Sequence, residues 1–176
     1  MQEEVKHLIK EKRGLLKEER PLEFSSEELV ARINRTRAGS ISDALDITIV
    51  LAEKEKVIAT MPVGPNQRQQ VGYLHGGASV VLAESVASLG TALNIDMEKQ
   101  MAFGLEINAN HLRPKRDGRL TAVATPIHRG RTTCVWDIKI SDENDKLICV
   151  SRCTVAIVDR PPEAGNPLTR DIPSFG

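Results

Sequence analysis

The sequence predicts a single α+β domain in which an antiparallel sheet curls around one buried helix. Three observations predict it. Residues 77–94 form a Pro-free run of Ala, Ser, Val and Leu that is apolar almost all round, and a helix without a solvated face is a buried one. Four strand-like runs follow, at 101–113, 119–128, 132–141 and 146–158, divided by the turn sequences Arg116-Asp117-Gly118, Arg129-Gly130 and Asp142-Glu143-Asn144-Asp145. Two further β-branched runs precede the helix. A sheet wrapped on one helix satisfies that order.

Taken along the chain, residues 1–22 read as a charged N-terminal extension, Lys, Glu and Leu at helical spacing interrupted by Pro21. The main domain spans 23–158. Ser25-Ser26-Glu27-Glu28 is a helix start, Leu29, Val30 and Ile33 give that helix an apolar stripe, and Gly39-Ser40 ends it. Ala44–Leu51 and Lys56–Val63 read as two strands joined at Glu53-Lys54-Glu55. Asn66 to Gln70 is a polar loop, and His75-Gly76-Gly77 leads into the long helix. In the third of the later runs Cys134, Trp136, Ile138 and Ile140 share one face while Asp137 and Lys139 share the other. Residues 159–176 form a Pro/Gly-rich tail.

Composition narrows the function classes. Basic and acidic residues balance at 24 each, which disfavours a general nucleic-acid binder, since that needs a basic excess. Aromatics are only 3%, so the core is built from Val, Ile, Leu and Ala. No apolar run at the N-terminus is long enough for a signal peptide or a membrane span, so a soluble cytoplasmic protein is expected. Cys134, Cys149 and Cys153 are odd in number and lack CxxC spacing; they read as reduced core thiols. The histidines lack metal-ligand spacing, and there is no GxGxxG, P-loop or Gly-x-Ser-x-Gly elbow. No metal or cofactor is expected.

Glu84 is the anomaly, a carboxylate in the middle of the apolar helix. Such residues are rarely buried unless paired or functional, and desolvation makes a carboxylate a better base. Ser88 lies four residues on and shares its face. Glycines at a helix start leave N–H groups open to an incoming oxygen, aided by the helix dipole. His75-Gly76-Gly77 with a glutamate later on the same helix therefore points to oxyanion donors and a carboxylate held by one rigid element, or by two copies of it across a dimer. An amide from Gln69 or Gln70 could supply a second donor. Basic residues gather at Arg113, Lys115, Arg116 and Arg119 and again at His128, Arg129 and Arg131, a composition suited to phosphate.

Three stretches, QQVGYLHGGASVVLAESVASLG, GLEINANHLRP and PIHRGRTTCVWDIKISDENDKLICVSRCTVAIV, resemble the hotdog-fold acyl-CoA thioesterases, in particular their phenylacetyl-CoA-thioesterase-like branch. The resemblance runs over about residues 40–158. It implies a hotdog fold and a homo-oligomer, dimeric through edge strands or tetrameric as a dimer of dimers, with the active site at a subunit interface. It implies Glu84 as nucleophile or general base, with Gln69, His75 and the Gly76 N–H orienting the thioester carbonyl and Ser88 assisting. Gly104, the segment His111, Leu112, Arg113 and Pro114, and the segment His128, Arg129, Gly130, Arg131, Thr132 and Thr133 fall where that family holds the coenzyme A arm. The acyl group it implies is aromatic, such as the 1,4-dihydroxy-2-naphthoyl group of menaquinone biosynthesis. An acyl-thioester hydratase or dehydratase of the same fold is the rival enzyme, disfavoured because that branch carries Pro-Gly after its histidine. A non-catalytic acyl-CoA-binding protein is the rival from another class.

Overall fold

The computed structural model describes residues 25–161; the expected extension at 1–22 and the tail beyond Pro161 lie outside the described residues. Helix α1, Ser26–Thr36, begins where its capping box lies. Glu28 N–H donates to Ser25 Oγ at 3.2 Å, and Ser25 N–H donates to the Glu28 carboxylate at 2.9 Å. Leu29 is buried beneath the helix. Asn34 then grips the edge of the sheet, donating to the Ile49 carbonyl at 2.9 Å and accepting from Ile49 N–H at 2.8 Å.

The first strand begins later than its sequence suggests. Ser40 caps a short helix α2, Ile41–Ala44, and Asp46 takes a positive φ of 54°. Strand β1 is therefore Thr48–Glu53 rather than Ala44–Leu51. Arg37 fixes this corner by donating to the Ile47 carbonyl at 2.7 Å. The other strands lie within two residues of their expected bounds: β2 Lys56–Pro62, β3 Gln100–His111, β4 Arg119–Arg129, β5 Thr133–Asp142 and β6 Leu147–Asp159. They form one six-stranded antiparallel sheet in the order β1-β2-β4-β5-β6-β3.

Helix α3, Gly76–Ala92, packs on that sheet through Ala78, Ser79, Leu82, Ala83, Val86, Ala87, Gly90 and Thr91. Small residues along this stripe allow close approach. Trp136 of β5 lies over Gly90, where an added Cβ would stand 2.5 Å from its ring. Its indole N–H donates to Thr91 Oγ1 at 2.9 Å, so the one tryptophan of the core is also satisfied as a donor. The alternation predicted for β5 holds: Cys134, Trp136, Ile138 and Ile140 are all buried. The three cysteines are free and buried.

The helix is not buried all round. Val80, Val81, Glu84, Ser85, Ser88 and Leu89 are only partly covered, because the sheet of one chain reaches one side of it. Strand β3 is an open edge with Phe103 and Leu105 exposed at 51% and 66%. Among the described residues no helix is long and apolar enough to cross a membrane.

Candidate active site

The head of α3 is built by its own N-cap. His75 Nδ1 accepts from Gly77 N–H at 2.9 Å, so the neutral ring carries its proton on Nε2. His75 N–H in turn donates to the Gln67 carbonyl at 2.8 Å. Gly76 N–H has no acceptor among the described residues, as the first amide of a helix should not. The His111 imidazole rests against Gly76: a Cβ there would lie 2.7 Å from Nε2.

Gln67 is the residue that sequence reasoning missed. It lies in the loop expected to be solvated, yet it is 3% exposed. Its amide donates to the Leu45 carbonyl at 2.8 Å and accepts from Gly64 N–H at 3.0 Å. Two positions on, Gln69 sits in a tight turn, its N–H donating to the Tyr73 carbonyl at 2.7 Å. The Gln69 side chain is exposed and has no hydrogen bond among the described residues.

A groove of about 400 Å³ opens at this point, lined among others by Gln69, Tyr73, Gly76, His111, Leu112, Arg113 and Pro114. Leu74 N–H donates to the Lys115 carbonyl at 2.7 Å, tying the two loops that form its walls. The side chain of Lys115 is not part of a basic patch. It is buried against Asp142 and Glu143, at 3.3 and 2.7 Å. Hydrogen bonding to Glu143 raises the lysine above its usual range. Burial pushes the Asp142 carboxyl up, but the N–H groups of Lys146 and Asn144 and the Lys115 ammonium more than offset it and hold it low. Arg116 is likewise occupied, lying 4.4 Å from the centre of the Tyr73 ring. Arg113 donates to the Leu147 carbonyl at 2.5 Å.

Glu84 lies elsewhere. It follows Gly76 by eight residues, about 12 Å along the helix at roughly 1.5 Å per residue. Its carboxylate packs against Gly104 of β3, with Ser88 partly exposed one turn on. Sheet register puts the β4–β5 turn at this same end, because Phe103 and Thr133 both pair with Ala156. In that turn His128 lies over Gly130, and Gly130 N–H donates to the Thr133 carbonyl at 2.8 Å. Thr132 accepts from Ile157 N–H at 2.8 Å. Arg129 is engaged by Glu55 at 2.5 Å and Asn94 at 3.1 Å, while Arg131 is exposed. At the opposite end His111 pairs with Cys149.

The expected site residues thus fall into two separate groups on each chain. One joins Gln69, His75, Gly76 and His111 to Pro114; the other joins Glu84, Ser88, Gly104 and the 128–133 turn. Among the described residues no three His, Cys, Asp or Glu side chains converge as metal ligands.

Residues 71–149 match the Thioesterase superfamily. The chain is 50% identical, over 66% of its length and 94% of the relative's, to the 1,4-dihydroxy-2-naphthoyl-CoA hydrolase of Listeria monocytogenes. It belongs to the thioesterase superfamily. The fold agrees: a mutant thioesterase from Pseudomonas aeruginosa superposes with a TM-score of 0.73 at 44% identity, over 80% of this chain and 98% of that one. This thioesterase also matches two structures of a Staphylococcus aureus thioesterase, a glutamate-to-alanine and a glutamine-to-alanine mutant. They are each 47% identical, with TM-scores of 0.67 and 0.65, covering 68% and 66% of this chain and 99% and 97% of theirs. The six-stranded sheet on a long helix is the hotdog fold, and the enzyme is an acyl-CoA thioesterase.

Proposed function

We propose that the enzyme hydrolyses an aromatic acyl-CoA, with 1,4-dihydroxy-2-naphthoyl-CoA as the favoured substrate, at a site shared by two chains. The observation that carries this reading is the open Gly76 N–H at the head of the helix that also bears Glu84. Roughly 12 Å of helix separates the two, so one chain cannot bring both to one carbonyl carbon. A second chain joined along the exposed edge of β3 supplies the missing half. The partly covered face of α3 and the exposed Phe103 and Leu105 support such an assembly, since apolar surface of this kind marks association. A dimer, or a tetramer as a dimer of dimers, follows.

In this reading the thioester oxygen meets the Gly76 N–H, where the helix dipole favours developing negative charge. Gln69 and the Nε2–H of His75 steady the carbonyl. Glu84 from the other chain acts by one of two routes. As nucleophile, its oxygen bonds to the carbonyl carbon, CoA leaves as thiolate, and water cleaves the mixed anhydride to restore the carboxylate. As general base, it takes a proton from water, the hydroxide adds to the carbon, and collapse expels the thiolate, which recovers the proton. Ser88 assists beside the carboxylate. His111 to Pro114, with Arg113 as the cation, and the 128–133 turn hold the coenzyme A arm. The Staphylococcus thioesterase has the same two residue types substituted fifteen positions apart, the spacing of Gln69 and Glu84 here. The Listeria hydrolase supports the aromatic acyl group.

Thiol release from a panel of naphthoyl, benzoyl and aliphatic acyl-CoA thioesters tests this. Wild type favours the naphthoyl thioester, and Glu84→Gln and Glu84→Ala fold but release no thiol. Near-wild-type turnover in either variant contradicts the role of Glu84; an aliphatic preference contradicts the acyl group.

A further inference from the structure

The geometry points to Gly104 as a positioning residue that sets where the Glu84 carboxylate stands. This rests on the reading of Glu84 as the reacting carboxylate. Glycine at 104 is not demanded by backbone conformation, since the glycines with positive φ are Gly39, Gly72 and Gly118. What a side chain there would meet first is Glu84. A Cβ built at 104 would stand 3.0 Å from the carboxyl carbon, 3.6 Å from Cγ and closer still to Oε1, and these are its three nearest neighbours.

The strand is shaped to the same end. The β3–β6 register shifts between Gly104 and Glu106, leaving Leu105 as an extra residue. Such a bulge re-aims its neighbours. The bare Cα and the bulge together make a shelf on which the carboxylate lies, with Cys153 of β6 near enough to sense its charge. Adding a methyl at 104 pushes the flexible end of Glu84 off the shelf without disturbing helix or sheet. Gly104 therefore acts on turnover through Glu84.

The experiment is a cycle of Gly104→Ala and Glu84→Gln, reading kcat, KM and the dissociation constant for free coenzyme A. A misplaced reacting group can cost about 10²-fold in rate, so Gly104→Ala is expected to lower kcat by about 10–100-fold. Its KM and coenzyme A affinity are expected to stay within about 2-fold of wild type. In the Glu84→Gln background, which releases no thiol, the same change is expected to leave coenzyme A affinity within about 2-fold. Unchanged kcat in Gly104→Ala, or a loss seen only in KM and coenzyme A affinity, overturns the inference. If Glu84→Gln itself keeps turnover, the catalytic reading fails instead. Should Gly104→Ala not fold, Glu84→Ala/Gly104→Ala is expected to fold, because the vacated carboxylate space takes the methyl. An unfolded double variant also overturns the inference.

Discussion

The imidazole of His111 rests on the Cα of Gly76, so that a Cβ at residue 76 would lie 2.7 to 3.3 Å from three of its ring atoms. The strand thereby supports the helix head that presents the free N–H. Gly76→Ala keeps the N–H but forces ring and turn apart, and a shift of this kind lowers kcat by about 10²-fold. Thiol release should report that loss. The double variant Gly76→Ala/His111→Ala relieves the clash and should recover part of it.

Stability at the pH extremes follows from the Lys115–Asp142–Glu143 cluster. The Lys115 ammonium, bonded to Glu143, holds that carboxyl low, and Asp142 is also held low. Groups with a lowered folded pKa stabilise above their unfolded values and lose that contribution as pH falls through the folded pKa. Lys115, raised in the fold, contributes below its unfolded value and loses it as pH rises through the folded one. Thermal unfolding should weaken below about pH 4 and above about pH 10.5. Lys115→Met should lower Tm near neutrality and flatten both limbs. An unchanged pH profile in that variant contradicts the assignment.

The contact between Gly90 and Trp136 sets the spacing of helix and sheet. Gly90→Ala overpacks it and should cost about 1–3 kcal/mol. Trp136→Phe leaves Thr91 Oγ1 without its indole donor and should cost about 1–2 kcal/mol for the hydrogen bond alone. Denaturant midpoints at constant slope measure both.

Burial pushes the Cys153 thiol up to about 12, and the charges of Glu84 and Glu106 add to it. Cys134 and Cys149 are also raised by burial. Only thiolate reacts with disulfide reagents, so all three should be silent in the native protein at pH 8 and react on unfolding. Removing the Glu84 charge with Glu84→Gln should lower the Cys153 value. Rapid native labelling of all three contradicts this.

Local patterns were legible in the chain where their causes are local. Ser25 and Glu28 stand three apart and cap one helix; the alternation from Cys134 to Ile140 marks one strand face; Glu84 is conspicuous because its helix is otherwise apolar. What escaped depends on partners far along the chain. Gln67 is buried because a carbonyl 22 residues earlier accepts its amide, and Lys115 is engaged by two carboxylates that lie 27 and 28 residues later. Ala44 to Ile47 looks like strand, yet Ser40 and Arg37 bend it into a short helix and a turn. The sequence left open whether the helix head and Glu84 meet within one chain or across two; the register of β3, β6 and β5 shows which of the expected residues share an end.

Mixing inactive subunits tests that separation most directly. On the proposed reading, Glu84→Ala and Gln69→Ala each damage a different half of a shared site. Equal amounts, dissociated and reassembled at random, form hybrid dimers in which one site has both halves intact. Such a mixture should regain about one quarter of wild-type thiol release, while each variant alone regains none. A mixture no more active than its two parents would mean that Glu84 and the Gly76 turn act within one chain, contrary to the account given above.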